Sequence, residues 1–269
     1  MIPLVDQLGR HIDTSRAFKR VVCLVPSQTE LLYDLGLEHV LVGITKFCVH
    51  PNHLRSNITV VGGTKNVHWE TLKSLNPDIV LCNKEENTQQ IVEQLEDFTQ
   101  VHLADIYNLD DCYELIQQYG EIFKVARKAE FLIQQIKKKA KEYNSFLSGE
   151  PRQKVAYMIW KKPWMLAGGD TFINHMHEVA GYENAFKNHS RYPEIELSDL
   201  HTSKIDLLFL SSEPYPFKEK HKEELAGVFP GTEIVLVDGE FFSWYGSRVS
   251  LALEYFKELK LQLKTKKAD

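Results

Sequence analysis

A cysteine and a histidine stand two residues apart in Lys46-Phe47-Cys48-Val49-His50-Pro51. Thiolate and imidazole both suit zinc or haem iron, so Cys48 and His50 are candidate metal ligands. Two ligands do not close a structural zinc site, which takes four, and no second cluster accompanies them. The alternative for this pair is loop packing with ordinary ligand contact. His175 and His177 are also two apart, but in a helical pattern that spacing turns the rings to different faces. Aromatic residues near basic ones are the larger chemical resource. Trp160 and Trp164 flank the turn Lys161-Lys162-Pro163, Arg191 and Tyr192 lie in the polar loop Asn188–Pro193, and Phe241, Phe242, Trp244, Tyr245 and Arg248 share one short stretch. Rings beside arginines suit a large, flat, partly anionic ligand through stacking and charge-assisted hydrogen bonds. Their alternative is packing between two lobes.

Gly168-Gly169-Asp170 has the outline of a phosphate cradle. An anion needs free N–H groups and positive potential at the helix start, whereas Asp170 would sit there as a cap and repel it. Capping is therefore the expected role. The sequence contains no GxSxG elbow, no Walker lysine, no GxGxxG after the first strand and no HExxH. Nothing in it composes a catalytic set.

The elements that must position these loops alternate strand with helix. Arg20–Val25 reads as a buried strand stopped by Pro26. Ser27 and Glu30 then have capping-box spacing at the start of a helix Gln28–Leu35 that ends at Gly36. Strands follow at Val40–Gly43, Asp78–Cys82 and Gln100–Leu103, with helices at Glu70–Leu75, Thr88–Leu95 and Asp110 to about Phe123. This alternation predicts a parallel sheet covered on both faces. Val125–Leu147 holds neither Gly nor Pro and keeps helical apolar spacing, so it predicts one long helix, stopped at Ser148-Gly149-Glu150-Pro151. Strands at Lys154–Trp160, Trp164–Ala167, Asp206–Leu210 and Glu233–Val237 then alternate with helices at Thr171–Ala180, near Lys218–Ala226 and at Arg248–Leu263. Leu72 to Glu85 can be laid over Leu200 to Glu213 without a gap, each reading helix, Asp turn, buried strand and polar loop. The expected organisation is an N-terminal α/β lobe over residues 1–124, a bridging helix over 125–148 and a C-terminal α/β lobe over 149–269. Ligands of open α/β sheets bind beyond the C-terminal ends of the strands.

Composition sets the broad limits. The 269 residues are 43% hydrophobic, 26% charged and 11% aromatic, with a formal net charge of −5, which argues against nucleic acid as the main partner. The basic run Lys137–Lys141 fits a solvated helix face. No stretch reaches the roughly 18 apolar residues of a membrane span, and the first residues show no signal-peptide pattern. Cys23, Cys48, Cys82 and Cys112 form no CxxC pair, and a disulfide framework is not expected.

RVVCLVPSQTELLYDLG, VGGTKNVHWETLKSLNPDIV, AGGDTFINHMHEVAGYENAF and IDLLFLSSEPYPF together resemble the helical-backbone metal receptor family, the substrate-binding proteins of ABC importers for vitamin B12, haem and ferric siderophores. The vitamin B12-binding branch is the nearest in flavour. The resemblance runs from about Arg20 to Leu263. It implies a class III solute-binding protein: two Rossmann-like α/β lobes with parallel sheets bridged by one long α-helix. It implies binding without catalysis, a metal chelate as ligand and no catalytic cofactor. It further implies an ABC permease as partner, a monomer, and a periplasmic location if a signal peptide has been trimmed; a native start at Met1 would instead leave the protein cytoplasmic.

Residue by residue, Glu70 matches the family's N-lobe glutamate that docks on the permease. The C-lobe equivalent falls on Ser198 with Asp199 beside it, where the family has Glu. Phe47 and His50 fall where the B12-binding branch places a cleft aromatic, Tyr192 falls on that branch's cleft tryptophan, and Trp244 to Arg248 match the last ligand-contacting loop. The ligand contacts expected are Phe47, His50, Trp69, Trp164, Arg191, Tyr192, Phe242, Trp244, Tyr245 and Arg248. Two other readings stay open: a cytosolic metal- or haem-binding protein using Cys48 and His50, and an enzyme acting on a corrinoid-type compound.

Overall fold

The computed structural model describes residues 4–268. They divide into two compact units. The first comprises the residues up to Lys137 together with Trp244–Val249, the second Lys138–Ser243 and the residues from Ser250 on. The chain therefore passes between units three times, once inside a long helix and twice around a six-residue segment.

The first unit opens with an antiparallel hairpin, β1 (Leu4–Val5) and β2 (His11–Ile12). There follow β3 (Val21–Cys23), α1 (Pro26–Asp34), β4 (Leu41–Ile44), α2 (Leu54–Asn57), β5 (Thr59–Val60) and α3 (Trp69–Ser74). Then come β6 (Ile79–Asn83), α4 (Gln89–Glu96), β7 (Gln100–Ala104), α5 (Leu109–Ile122) and the start of α6 (Ala126–Phe146). The sheet runs β5-β4-β3-β6-β7, every pairing parallel. β3 and β6 at its centre are completely buried, which is why both read as continuous apolar runs. Val22, Leu24, Val80, Cys82, Leu95 and Leu103 form the core on one face.

One expected cap is overturned. α1 begins at Pro26 with Val25 as N-cap and no side-chain cap bond, so Ser27 and Glu30 make no capping box. Proline at the first helical position gives up an N–H that would lack a partner anyway. The stop after α1 holds: Gly36 takes φ +75, a left-handed turn that glycine adopts without a Cβ penalty. Thr88 caps α4 through the Ile91 N–H, and Asn108 and Asp111 close a true capping box on α5.

The second unit holds β8 (Gln153–Trp160), β9 (Trp164–Leu166), α7 (Phe172–Val179), β10 (Tyr182–Asn184), β11 (Glu194–Ile195) and α8 (Leu197–Thr202). It continues with β12 (Leu207–Ser211), α9 (Glu219–Ala226), β13 (Glu233–Val237), α10 (Glu240–Ser243) and most of α11 (Val249–Ala268). The sheet order is β11-β9-β8-β12-β13, with β10 pairing the first half of β8. A purely parallel sheet was expected here. β8, β10, β12 and β13 are parallel, but β9 returns antiparallel on β8 and β11 antiparallel on β9. The turn at Lys161–Pro163 is too short for a crossover helix, so it makes a hairpin.

The internal repeat is real at the level of hydrogen bonds. Asp78 bonds the Arg20 carbonyl through its N–H and accepts the Lys19 and Arg20 N–H groups at Oδ2. Asp206 does the same toward Lys154, pairing with its carbonyl and accepting its N–H at 2.7 Å. In each unit this aspartate ties the entry of the central strand to that of its neighbour.

Candidate ligand-contacting surfaces

In the first unit all sheet strands point one way, so the loops leaving β3, β4, β6 and β7 gather at one edge. Phe47 stands there after β4, 49% exposed, with the Lys46 ammonium 5.0 Å from its ring centroid. His50, half-buried, meets the edge of Trp244, their ring centroids 5.6 Å apart. Trp69, also half-buried, opens α3 and packs against the apolar core.

Behind this edge lies a polar cluster. Arg248 donates to both oxygens of Glu30, Nε to Oε2 at 2.7 Å and Nη2 to Oε1 at 2.8 Å. Its guanidinium also lies 4.9 Å from the Trp244 ring centroid. Burial raises the Glu30 pKa, and the arginine pulls against that rise. Beside the pair, the Gln28 amide donates to the Cys82 carbonyl and the Tyr245 hydroxyl, and accepts the Tyr119 hydroxyl at 2.7 Å. Cys112 completes the anchorage by accepting the Gly246 N–H at 3.1 Å. Trp244, Tyr245 and Arg248 are only 8%, 6% and 5% exposed. These three, expected as ligand contacts, are tied into the first unit: Arg248 to Glu30, Tyr245 to Gln28, and the Trp244 ring to His50 and Arg248. Glu30 and Gln28 escaped sequence reasoning because a mid-helix glutamate gives no local sign of a partner 218 positions away.

Cys48 has no exposed surface, and its thiol lies 3.2 and 3.3 Å from the Thr29 and Thr45 hydroxyls. Burial pushes the thiol pKa up, and the two threonine hydroxyls pull against that rise. In this structure Cys48 packs as a buried residue between the two threonines. Among the described residues no group of three or more His, Cys, Asp and Glu side chains is placed to hold a metal ion.

In the second unit Phe242, another expected contact, is fully buried among Tyr157, His177 and Phe256. His177 has neither ring nitrogen bonded, and burial lowers its pKa to about 3. Trp164 remains half-buried and stacks on Phe217 at 6.4 Å. Arg191 and Tyr192 are partly exposed, with the guanidinium 5.6 Å from the phenol ring centroid.

The Gly168-Gly169-Asp170 run clamps this loop. A Cβ on Gly168 or Gly169 would collide with the carbonyls of His189 and Lys187, and both glycine N–H groups bond that loop, at the Arg191 and His189 carbonyls. Asp170 does not cap α7; Thr171 does, accepting the Asn174 N–H at 3.1 Å. Asp170 instead accepts the Arg191 N–H and the Ser190 hydroxyl, which hold its carboxyl below the usual range. Glu70 is exposed on the first turn of α3, and Ser198 and Asp199 are exposed on the first turn of α8. Asp199 also accepts the Glu196 N–H at 3.0 Å.

The profile of the periplasmic binding protein family matches residues 21–228. The chain belongs to that family. It is accordingly a binding protein rather than an enzyme. An uncharacterised ABC transporter substrate-binding lipoprotein of Bacillus subtilis is 28% identical over 192 residues, covering 68% of this chain and 60% of that one. A vitamin B12-binding protein of Vibrio campbellii is 26% identical over 200 residues, covering 72% of this chain and 70% of the other. A periplasmic haem-binding protein of Pseudomonas aeruginosa superposes with a TM-score of 0.76 at 20% identity, covering 89% of this chain and 91% of its own. That likeness shows the fold class: a mixed α/β architecture of the kind found in class III binding proteins. Among the described residues no helix is long and apolar enough to cross a membrane.

Proposed function

We propose that this protein is the solute-binding component of an ABC importer, working outside the cytoplasmic membrane, and that its ligand is a compact metal chelate: a cobalamin-type corrinoid, haem or a ferric siderophore. The observation that carries this reading is the family match across residues 21–228. Relatives named for vitamin B12 and a structural neighbour named for haem support a flat or compact metal complex as the ligand. The surface residues suit such a ligand: Phe47, His50 and Trp69 in the first unit, Trp164, Arg191 and Tyr192 in the second. Aromatic faces and a guanidinium bind a conjugated, partly anionic chelate without covalent chemistry. The metal enters with the ligand.

Glu70, with Ser198 and Asp199 at the equivalent helix start, is the proposed contact with the permease. Glu70 is the stronger anchor, since Asp199 already serves its own helix.

The test is thermal stability and tryptophan fluorescence against hemin, cyanocobalamin, ferric siderophores and free metal ions. A ligand at a hundredfold excess over its Kd stabilises the fold by about 2.7 kcal/mol. One chelate raising Tm at one equivalent per chain is the expected result. A response to free metal alone, or to nothing in the panel, overturns the proposal.

A further inference from the structure

The loops leaving β8 and β12 hold a ring cluster that the family match does not explain. Trp160, at the end of β8, is 39% exposed, a large area for an indole. The half-buried Tyr215, after β12, meets it edge to face at 5.7 Å, and the Tyr215 N–H bonds the Ile159 carbonyl. Phe217 backs the tyrosine from the core side, the two rings 4.8 Å apart, and Trp164 stacks on Phe217 in turn.

His221 decides what the Tyr215 hydroxyl can do. Its Nδ1 accepts the Lys218 N–H at 2.9 Å, closing the cap of α9. A ring nitrogen that accepts carries no proton, so the neutral imidazole bears its hydrogen on Nε2. Nε2 lies 3.3 Å from the Tyr215 hydroxyl and therefore donates to it. The phenol oxygen accepts there, and its own proton is left over as a donor. The accepted bond also makes that phenol a better donor, because charge withdrawn at the oxygen polarises the O–H.

We infer that Trp160 and Tyr215 form a recognition platform for the second unit: the indole stacks on the ligand's conjugated face, and the phenol, held by His221, donates to an oxygen at its rim. This rests on the binding reading above and adds to it. The ligand class it selects is a planar conjugated chelate bearing carboxylate or amide oxygens at its periphery. His221 is a positioning residue; it fixes the phenol without touching the ligand.

Hemin and cyanocobalamin are the probes, titrated by fluorescence quenching and calorimetry against the full chain and its Trp160→Ala, Tyr215→Phe and His221→Gln variants. For the probe that binds, Trp160→Ala weakens binding by about tenfold, the loss of one stacked face. Tyr215→Phe keeps the ring and weakens binding by about fivefold, the loss of one hydrogen bond, with Tm unchanged. His221→Gln weakens it by less. A packing role alone would lower Tm and leave affinity intact. Wild-type affinity in both Trp160→Ala and Tyr215→Phe overturns the platform and leaves the binding reading standing. If the wild-type chain binds neither probe, the platform falls with the ligand class proposed for it; a ferric siderophore that then binds keeps the importer reading alone.

Discussion

The two units are built on equivalent strands and differ in what fills the space behind them. β3, β6 and β7 in the first correspond to β8, β12 and β13 in the second, down to the aspartate that ties the strand entries together. Behind the first sheet lies a fully paired polar cluster of Glu30, Arg248, Gln28, Tyr119 and Tyr245. Behind the second lies an aromatic mass around His177, whose two nitrogens have no partner. One scaffold thus tolerates both solutions to a buried polar group: complete satisfaction, or neutrality at the expense of unmet hydrogen bonds. The first makes the unit depend on a charge pair. The second makes its unit depend on pH.

The largest effect that would sharpen this contrast is on the charge pair. Arg248→Ala leaves Glu30 buried and uncompensated and should lower stability by about 3–5 kcal/mol, read by urea denaturation. Replacing Glu30 and Arg248 together by Met and Leu should recover much of that loss. An unaffected Arg248→Ala variant would break the comparison at its root. Next comes His177. Its folded pKa of about 3 lies below the unfolded value of about 6.5, so the unfolded chain takes up the proton first as pH falls. The stabilisation is present above pH 6.5 and is lost on the way down to pH 3, at about 1.4 kcal/mol per pH unit. The difference between wild type and His177→Leu, followed by denaturation from pH 7 to 4, should carry that slope; parallel curves would refute it.

Smaller effects compare helix starts and strand entries. Thr171 is buried, accepts the Asn174 N–H and donates to the Gly168 carbonyl, whereas Thr88 only accepts. Thr171→Ala should cost more than the roughly 1 kcal/mol of an ordinary cap loss, and Thr88→Ala about that value or less. Equal Tm shifts would say the second bond is idle. Smallest, Asp78→Ala should lower Tm more than Asp206→Ala, because Asp78 receives two N–H groups and Asp206 one.

Periodicity exposed the scaffold well. The strand cores from Val21 to Val237 and the long α6 are where apolar patterning placed them, because burial on both faces leaves continuous runs that little else produces. The two-residue strands β5 and β11 and the short α2 and α10 are too brief to show a period. Site reading fared differently by residue. The likeness between Leu72–Glu85 and Leu200–Glu213 located the strand-end loops correctly, but composition could not tell the exposed Phe47 from the buried Phe242. Nor could it separate the partly exposed Arg191 from the buried Arg248. Exposure is a property of three-dimensional neighbours, and for Arg248 the neighbour is far away in sequence.

The segment Trp244–Val249 has a consequence for biosynthesis. As the chain leaves the ribosome, the first unit is nearly whole once Lys137 has appeared, yet Glu30, Gln28 and Cys112 still lack the groups that complete them. Those groups arrive only after all of Lys138–Ser243 has been translated. Until then the nascent first unit lacks the guanidinium that pairs with Glu30, so its final locking must await the synthesis of Trp244–Val249.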